Sequence, residues 1–164
     1  MGIFALFIKR DSPGPAIFRQ RRVGLKGKEF VLYKFRTLYV ETPPYVVNPL
    51  NGNDPRITKF GRFLRKTSLD EFPQFWNVLR GEMSVVGPRP EMPFIVETYN
   101  DVHRERLNVK PGITGLWQIS GDRALPIHEN VDYDFYYIEH QSPLLDLIIV
   151  FETIIFAIKG RGAY

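Results

Sequence analysis

The adjacent carboxylates Asp70 and Glu71 are the residues of this 164-residue chain best suited, by type and spacing, to do chemistry. Side-by-side carboxylates raise each other's pKa and stay ionised only where cations or donors compensate. Arg62, Arg65 and Lys66 lie just before the pair and Arg89 follows it. A carboxylate held in this way suits two tasks. It can bind a hard divalent ion such as Mg²⁺, which takes oxygen ligands alongside substrate phosphates, or it can attack phosphorus as a nucleophile. A plainer reading also stands: acidic residues collect in the first turn of helices, where the macrodipole favours them.

Arg89 sits between Pro88 and Pro90. Both prolines restrict the backbone, the second by disfavouring the helical region at Arg89 itself. A guanidinium on so stiff a segment is prepared for bidentate phosphate recognition, although an ordinary Pro-rich turn would carry a solvated arginine in the same place.

The elements that must position these groups are partly legible. Ser12-Pro13-Gly14-Pro15 breaks an apolar N-terminal segment. Residues 16–23 and 28–36 read as strands joined at Gly24–Gly27, a β-hairpin in which Lys34 and Arg36 project from the same face. The stretch 39–55, rich in Pro and Asn, reads as a long loop. Residues 56–66 put Lys59, Arg62 and Lys66 at helical spacing, with Arg65 beside them. A further helix is expected from about Asp70 to Leu79. Ser68 and Glu71 match a capping box, yet Pro73 prefers a first turn, so its start is drawn between Leu69 and Phe72. Glu91–Leu107 reads as helix, 110–115 as a turn, 116–120 as a short strand, and 129–140 and 143–159 as helices.

The whole chain sets bounds on function. It has no cysteine, so a disulfide framework and a zinc–thiolate site are excluded. His103, His128 and His140 show no ligand spacing. Residues 1–90 carry 16 Lys/Arg against 7 Asp/Glu, and residues 91–164 carry 6 against 11. A basic first half with interleaved aromatics fits an anionic partner: nucleic acid, an anionic membrane face or a phosphorylated ligand. No apolar run reaches eighteen residues. Residues 144–158 are apolar except for Asp146, Glu152 and Thr153, which fits either a buried core helix or one lying in a membrane interface.

Three stretches carry a resemblance. They are Ser12–Gly24 with Tyr33-Lys-Phe-Arg-Thr37; Leu64–Pro90, which contains Leu-Asp-Glu-Phe-Pro-Gln-Phe-Trp-Asn-Val and Val-Val-Gly-Pro-Arg-Pro; and Val109-Lys-Pro-Gly-Ile-Thr-Gly-Leu-Trp-Gln118. They resemble the bacterial sugar transferase family, the monotopic polyprenyl-phosphate phosphoglycosyl transferases, from about Lys9 to Tyr164. The resemblance implies transfer of a sugar 1-phosphate from a nucleotide sugar, usually a UDP-sugar, to undecaprenyl phosphate with release of UMP. It also implies a ping-pong mechanism, a Mg²⁺ requirement, and a place on the cytoplasmic face of a bacterial inner membrane at the start of surface-glycan assembly. Carried onto this chain, Asp70 is the nucleophile and a metal contact, with Glu71 its partner in metal binding or acid–base work. Arg65 and Arg89 bind phosphate, with Lys34, Arg36 and Arg62 as further contacts.

The resulting expectation is an α+β domain, mostly helical, with a small N-terminal β-hairpin and amphipathic helices at a membrane surface. Residues 1–8 would be the remnant of an N-terminal membrane helix and 9–164 the catalytic domain. Gly121-Asp122-Arg123 departs from the Gly-Arg expected of the family. Oligomeric state is left open. Two rival readings remain: a single-stranded nucleic-acid binding module, which would have no use for Asp70-Glu71, and a catalytically inactive assembly fragment.

Overall fold

The computed structural model describes residues 2–45, 49, 52–121 and 130–159. The chain is α+β, about half helical, with a small antiparallel hairpin near its N-terminus. It forms two compact units, one of Met1–Gln20, Tyr33–Pro73 and Phe156–Tyr164, the other of Arg21–Leu32 and Gln74–Ile155. The hairpin strands β1 (Ile17–Val23) and β2 (Glu29–Phe35) run through both.

In the first unit, helix α1 (Gly2–Asp11) stops at the Ser-Pro-Gly-Pro breaker. Its Ile8 joins Ala16, Phe35 and Leu64 in a buried cluster, and Phe4 meets the Phe35 ring edge-on at 5.7 Å. Ile3, Leu6 and Phe7 stay exposed. Helix α2 (Lys59–Lys66) starts at Thr58, whose hydroxyl accepts from the Gly61 amide at 3.0 Å. Asp11 of α1 accepts from the Phe60 amide at 2.7 Å, so two oxygens satisfy the helix start. The buried face of α2 is Gly61, Leu64 and Arg65. Gly61 is obligatory there, because a Cβ would lie 2.2 Å from the Thr37 carbonyl oxygen. This approach sets α2 directly against the residue that follows β2 by two positions.

The helix expected from Asp70 is split. Leu69–Gln74 is a 3₁₀ turn and the α-helix, α3, occupies only Phe75–Leu79. Pro73 explains the change, since an α-helix begun at Asp70 would place it beyond the first turn, where it has no amide to donate. Ser68 stands just before the 3₁₀ turn and meets Glu71 through its carbonyl rather than through its side chain. It adopts a left-handed backbone, φ 55°, and its carbonyl accepts from the Glu71 amide.

In the second unit, β3 (Ser84–Val86) and β4 (Gly112–Thr114) pair in parallel, with Ser84 opposite Gly112 and Val86 opposite Thr114. Between them run α4 (Pro93–Val96), α5 (Asp101–Arg104) and a 3₁₀ turn, Glu105–Asn108. The single helix expected over 91–107 is therefore broken. Asn100 caps α5 through its side chain, accepting from the His103 amide at 2.8 Å, while Tyr99 turns into the core. The strand expected at 116–120 is helix α6 (Leu116–Ile119), and the strand lies just before it. Its partner β3 ends at Val86, ahead of Gly87-Pro88, so Leu116–Ile119 finds no edge to pair with and coils. Helices α7 (Asp132–Glu139) and α8 (Pro143–Ile158) follow as expected. Only Ile149 of α8 is fully buried, while Leu144, Leu147, Ile148, Phe151, Ile154 and Ile158 are exposed. No described helix is long and apolar enough to cross a membrane. His128, Arg123, Asp122 and part of the 39–55 loop lie outside the described residues.

Candidate active site

The carboxylate pair lies in the first unit. The left-handed turn at Ser68 and the 3₁₀ geometry after it bring Asp70 inward, leaving it 4% exposed. Its Oδ1 is buried without a hydrogen-bond partner, an expensive state for a carboxylate oxygen. Burial pushes its carboxyl up to about 6. Lys34 and Arg65 oppose that rise and Glu71 adds to it. Asp70 is thus a buried acid that ionises near neutrality, held there by two cations.

Glu71 is treated differently. Its Oε1 accepts from Lys34 Nζ at 2.6 Å, and both side chains are 17% exposed. At that distance the ion pair is a charge-assisted hydrogen bond. β2 supplies Lys34 and the 3₁₀ turn supplies Glu71, so the strand and the turn fix the dyad's second carboxylate together.

The basic residues expected around the pair separate by burial. Arg65 is 7% exposed on the inner face of α2, with Nη1 3.5 Å from the Thr37 hydroxyl. Arg62 is exposed on the same helix. The spacing grouped it with Lys59 and Lys66, and the three share the outer face, away from the stripe that Gly61 and Leu64 bury. Arg36 does not project with Lys34 as the strand pattern predicted. β2 ends at Phe35, and Arg36 turns to donate to the carbonyls of Ser12 at 2.7 Å and Pro13 at 2.8 Å. Arg36, 5% exposed as a whole residue, closes the end of α1 with its guanidinium. Burial lowers its pKa below the usual arginine value, with Asp11 and Glu41 opposing.

Arg89 belongs to the second unit, where Pro88-Arg89-Pro90 leaves β3. The carbonyl of Pro88 accepts from the Gly112 amide and that of Glu91 from the Val23 amide, each at 2.9 Å. Gly87 and Gly112 are in backbone contact beneath it: a Cβ on Gly112 would lie 2.1 Å from the Gly87 nitrogen. This explains both glycines without appeal to a turn type.

Residues 1–160 match the family model described as bacterial sugar transferase. The chain belongs to the bacterial sugar transferase family. The galactosyl transferase CpsE of Streptococcus agalactiae serotype III is 45% identical over 177 aligned positions, which cover 99% of this chain and 39% of that protein. The UDP-glucose:undecaprenyl-phosphate glucose-1-phosphate transferase of Escherichia coli K12 is 45% identical, covering 98% of this chain and 36% of its own length. A UDP-N-acetylgalactosamine-undecaprenyl-phosphate N-acetylgalactosaminephosphotransferase of Aeromonas hydrophila is 39% identical, covering 97% and 39%. The chain spans under two-fifths of the length of these relatives, whose names point to three different sugars.

In this sugar transferase chain, sequence reasoning missed several buried polar side chains. Asn77, fully buried, donates to the Val31 carbonyl and to Glu82. Arg106 and Asp134 form a buried pair at 2.6 Å, and both are under 5% exposed. No local pattern marks them: they lie 28 residues apart on separate elements. Among the described residues no group of three or more metal-ligand side chains occurs.

Proposed function

We propose that this chain is the catalytic part of an enzyme that transfers a sugar 1-phosphate from a UDP-sugar to a polyprenyl phosphate such as undecaprenyl phosphate, releasing UMP. The observation that carries the reading is Asp70: a buried carboxyl with an unpartnered Oδ1, a pKa raised to about 6, and a neighbouring carboxylate already matched by Lys34.

In the first half-reaction an Asp70 oxygen attacks the phosphorus that bears the sugar. A P–O bond to Asp70 forms, the bond to the UMP oxygen breaks, and UMP leaves with the electron pair. In the second, an oxygen of the polyprenyl phosphate attacks the same phosphorus and Asp70 leaves as a carboxylate. Splitting the transfer lets one carboxylate serve a water-soluble donor and a lipid acceptor in turn. Asp70 must be ionised to attack, and a pKa near 6 leaves it so at neutral pH while the burial that raises it keeps competing water away. Lys34 holds Glu71, and Arg65 adds positive charge where the diphosphate must be neutralised. Arg89 is assigned to phosphate recognition.

Mg²⁺ fits these residues. Asp70 Oδ1 lacks a partner, Glu71 would provide a second hard oxygen ligand, and substrate phosphates and water would complete the shell, as Mg²⁺ sites with one or two carboxylates do. When bound, it would neutralise diphosphate charge. The exposed apolar residues of α8, and separately of α1, support contact with the cytoplasmic face of a bacterial membrane, where the lipid acceptor resides.

The test is UMP release from a panel of UDP-sugars with Mg²⁺ and a short polyprenyl phosphate. The active sugar identifies the donor. Asp70→Asn is expected to abolish both UMP release and covalent labelling by the donor. An Asn variant verified free of deamidation that releases UMP at the parental rate would refute the nucleophile assignment.

A further inference from the structure

The Pro88-Arg89-Pro90 segment has no amide hydrogens at its two prolines, so its backbone can be fixed only through its carbonyls and the Arg89 amide. Four consecutive carbonyls are each taken by a different donor. The Gly112 amide binds Pro88 and the Val23 amide binds Glu91, both at 2.9 Å. The two between them are taken by buried guanidiniums: Arg106 Nη2 donates to the Arg89 carbonyl at 3.0 Å and Arg22 Nη1 to the Pro90 carbonyl at 3.0 Å.

Both arginines are buried and charge-matched. Arg106 Nε meets Asp134 at 2.6 Å, and its Nη1 donates to the Tyr99 hydroxyl. Arg22 lies 3.7 Å from Glu91. Such pairs are weak sources of stability, because desolvation offsets their attraction and apolar residues of similar volume pack as well or better. What a buried, paired guanidinium does supply is a donor whose direction is locked. The residues around it, including Tyr99, Leu107 and Pro111, leave a cavity of only about 10 Å³, room for one water.

We propose that Arg106 and Arg22 are positioning residues for Arg89, holding the carbonyls of residues 89 and 90 so that the Arg89 guanidinium is presented in one direction to a substrate phosphate. Asp134 and Glu91 keep the two holding arginines in place by balancing their charge. The proposal rests on the phosphate role assigned to Arg89 above. Arg106 and Arg22 never touch substrate; they act through the backbone of the residue that does.

The test is a double-substitution cycle in the full 164-residue chain, with kcat and KM for the UDP-sugar read from UMP release. Arg106→Lys keeps the positive charge opposite Asp134 but removes the fork that also reaches the Arg89 carbonyl. It is expected to lower kcat/KM by about ten- to a hundredfold, the scale of a misplaced binding group, with the thermal midpoint within about 5 °C of the parent. In an Arg89→Ala background the same substitution is expected to change kcat/KM by less than about twofold, because coupled residues are non-additive. An equal loss in both backgrounds, or a folded Arg106→Lys with parental kcat/KM, overturns the positioning role. If Arg106→Lys does not fold, Arg22→Lys enters the same cycle with the same supporting and overturning outcomes. Arg89→Ala at parental kcat/KM would overturn instead the phosphate role beneath the proposal, so the two failures are distinguishable.

Discussion

The burial of Asp70 has a consequence for stability that can be measured without any substrate. Its carboxyl is displaced from an ordinary 3.8 to about 6, chiefly by burial. Each pH unit is worth about 1.4 kcal/mol, so ionising Asp70 in the folded protein meets about 3 kcal/mol of opposition. Lys34, Arg65 and a hydrogen bond from its own backbone amide pull the other way and Glu71 adds to the rise; the displacement is the net of these effects. The native state therefore holds this proton more tightly than the unfolded chain does. The stability that follows is fully present below about pH 3.8, declines as pH rises through about 6, and is absent at pH 8. Asp70→Asn cannot ionise, so it should be more stable than the parent at pH 8 by up to about 3 kcal/mol. That advantage should shrink towards zero near pH 4. Urea unfolding of both proteins by tryptophan fluorescence between pH 4.5 and 8, with EDTA present, reads the difference from the midpoints. A difference constant across that range, or no gain at pH 8, would refute the claim that burial of an ionised Asp70 strains the fold.

Three further outcomes follow from the same geometry. Lys34→Met removes the cation on Glu71 and one that lowers the Asp70 pKa, so the acid limb of the pH–rate profile should move to higher pH; a limb that stays in place argues against Lys34 acting on Asp70. Arg36→Met breaks the bonds to the Ser12 and Pro13 carbonyls and should cost about 2–4 kcal/mol in denaturant unfolding, with KM for the UDP-sugar unchanged. A raised KM at parental stability would instead return Arg36 to phosphate binding. Gly61→Ala drives a methyl against the Thr37 carbonyl and should destabilise by about 1–3 kcal/mol, read as a lower thermal midpoint.

How much was legible divides by the range of the interaction. The hairpin, the two C-terminal helices and the basic character of α2 are local properties of periodicity and turn chemistry, and the expectations for them hold. The Asp-Glu pair and the Pro-Arg-Pro segment were visible as unusual neighbours, and the three family stretches identified the family that the match over residues 1–160 shows. The helix expected from Asp70 was split by a local residue, Pro73, but at two other places where the sequence pattern failed a distant partner had decided. The strand expected at 116–120 failed because pairing depends on where β3 ends. Arg36 looked equivalent to Lys34 because alternation describes only a strand, and the strand stops one residue earlier.

By itself the sequence determined the N-terminal hairpin, the two C-terminal helices, the family and the candidate acid pair, since these rest on neighbours within a few residues. Only the tertiary structure decided that Asp70 is buried with one oxygen unpartnered while Glu71 is paired with Lys34. It alone decided, too, that of the arginines on α2, Arg65 turns inward. Desolvation and charge compensation act through space, between residues the chain separates by tens of positions, and no local spacing encodes them.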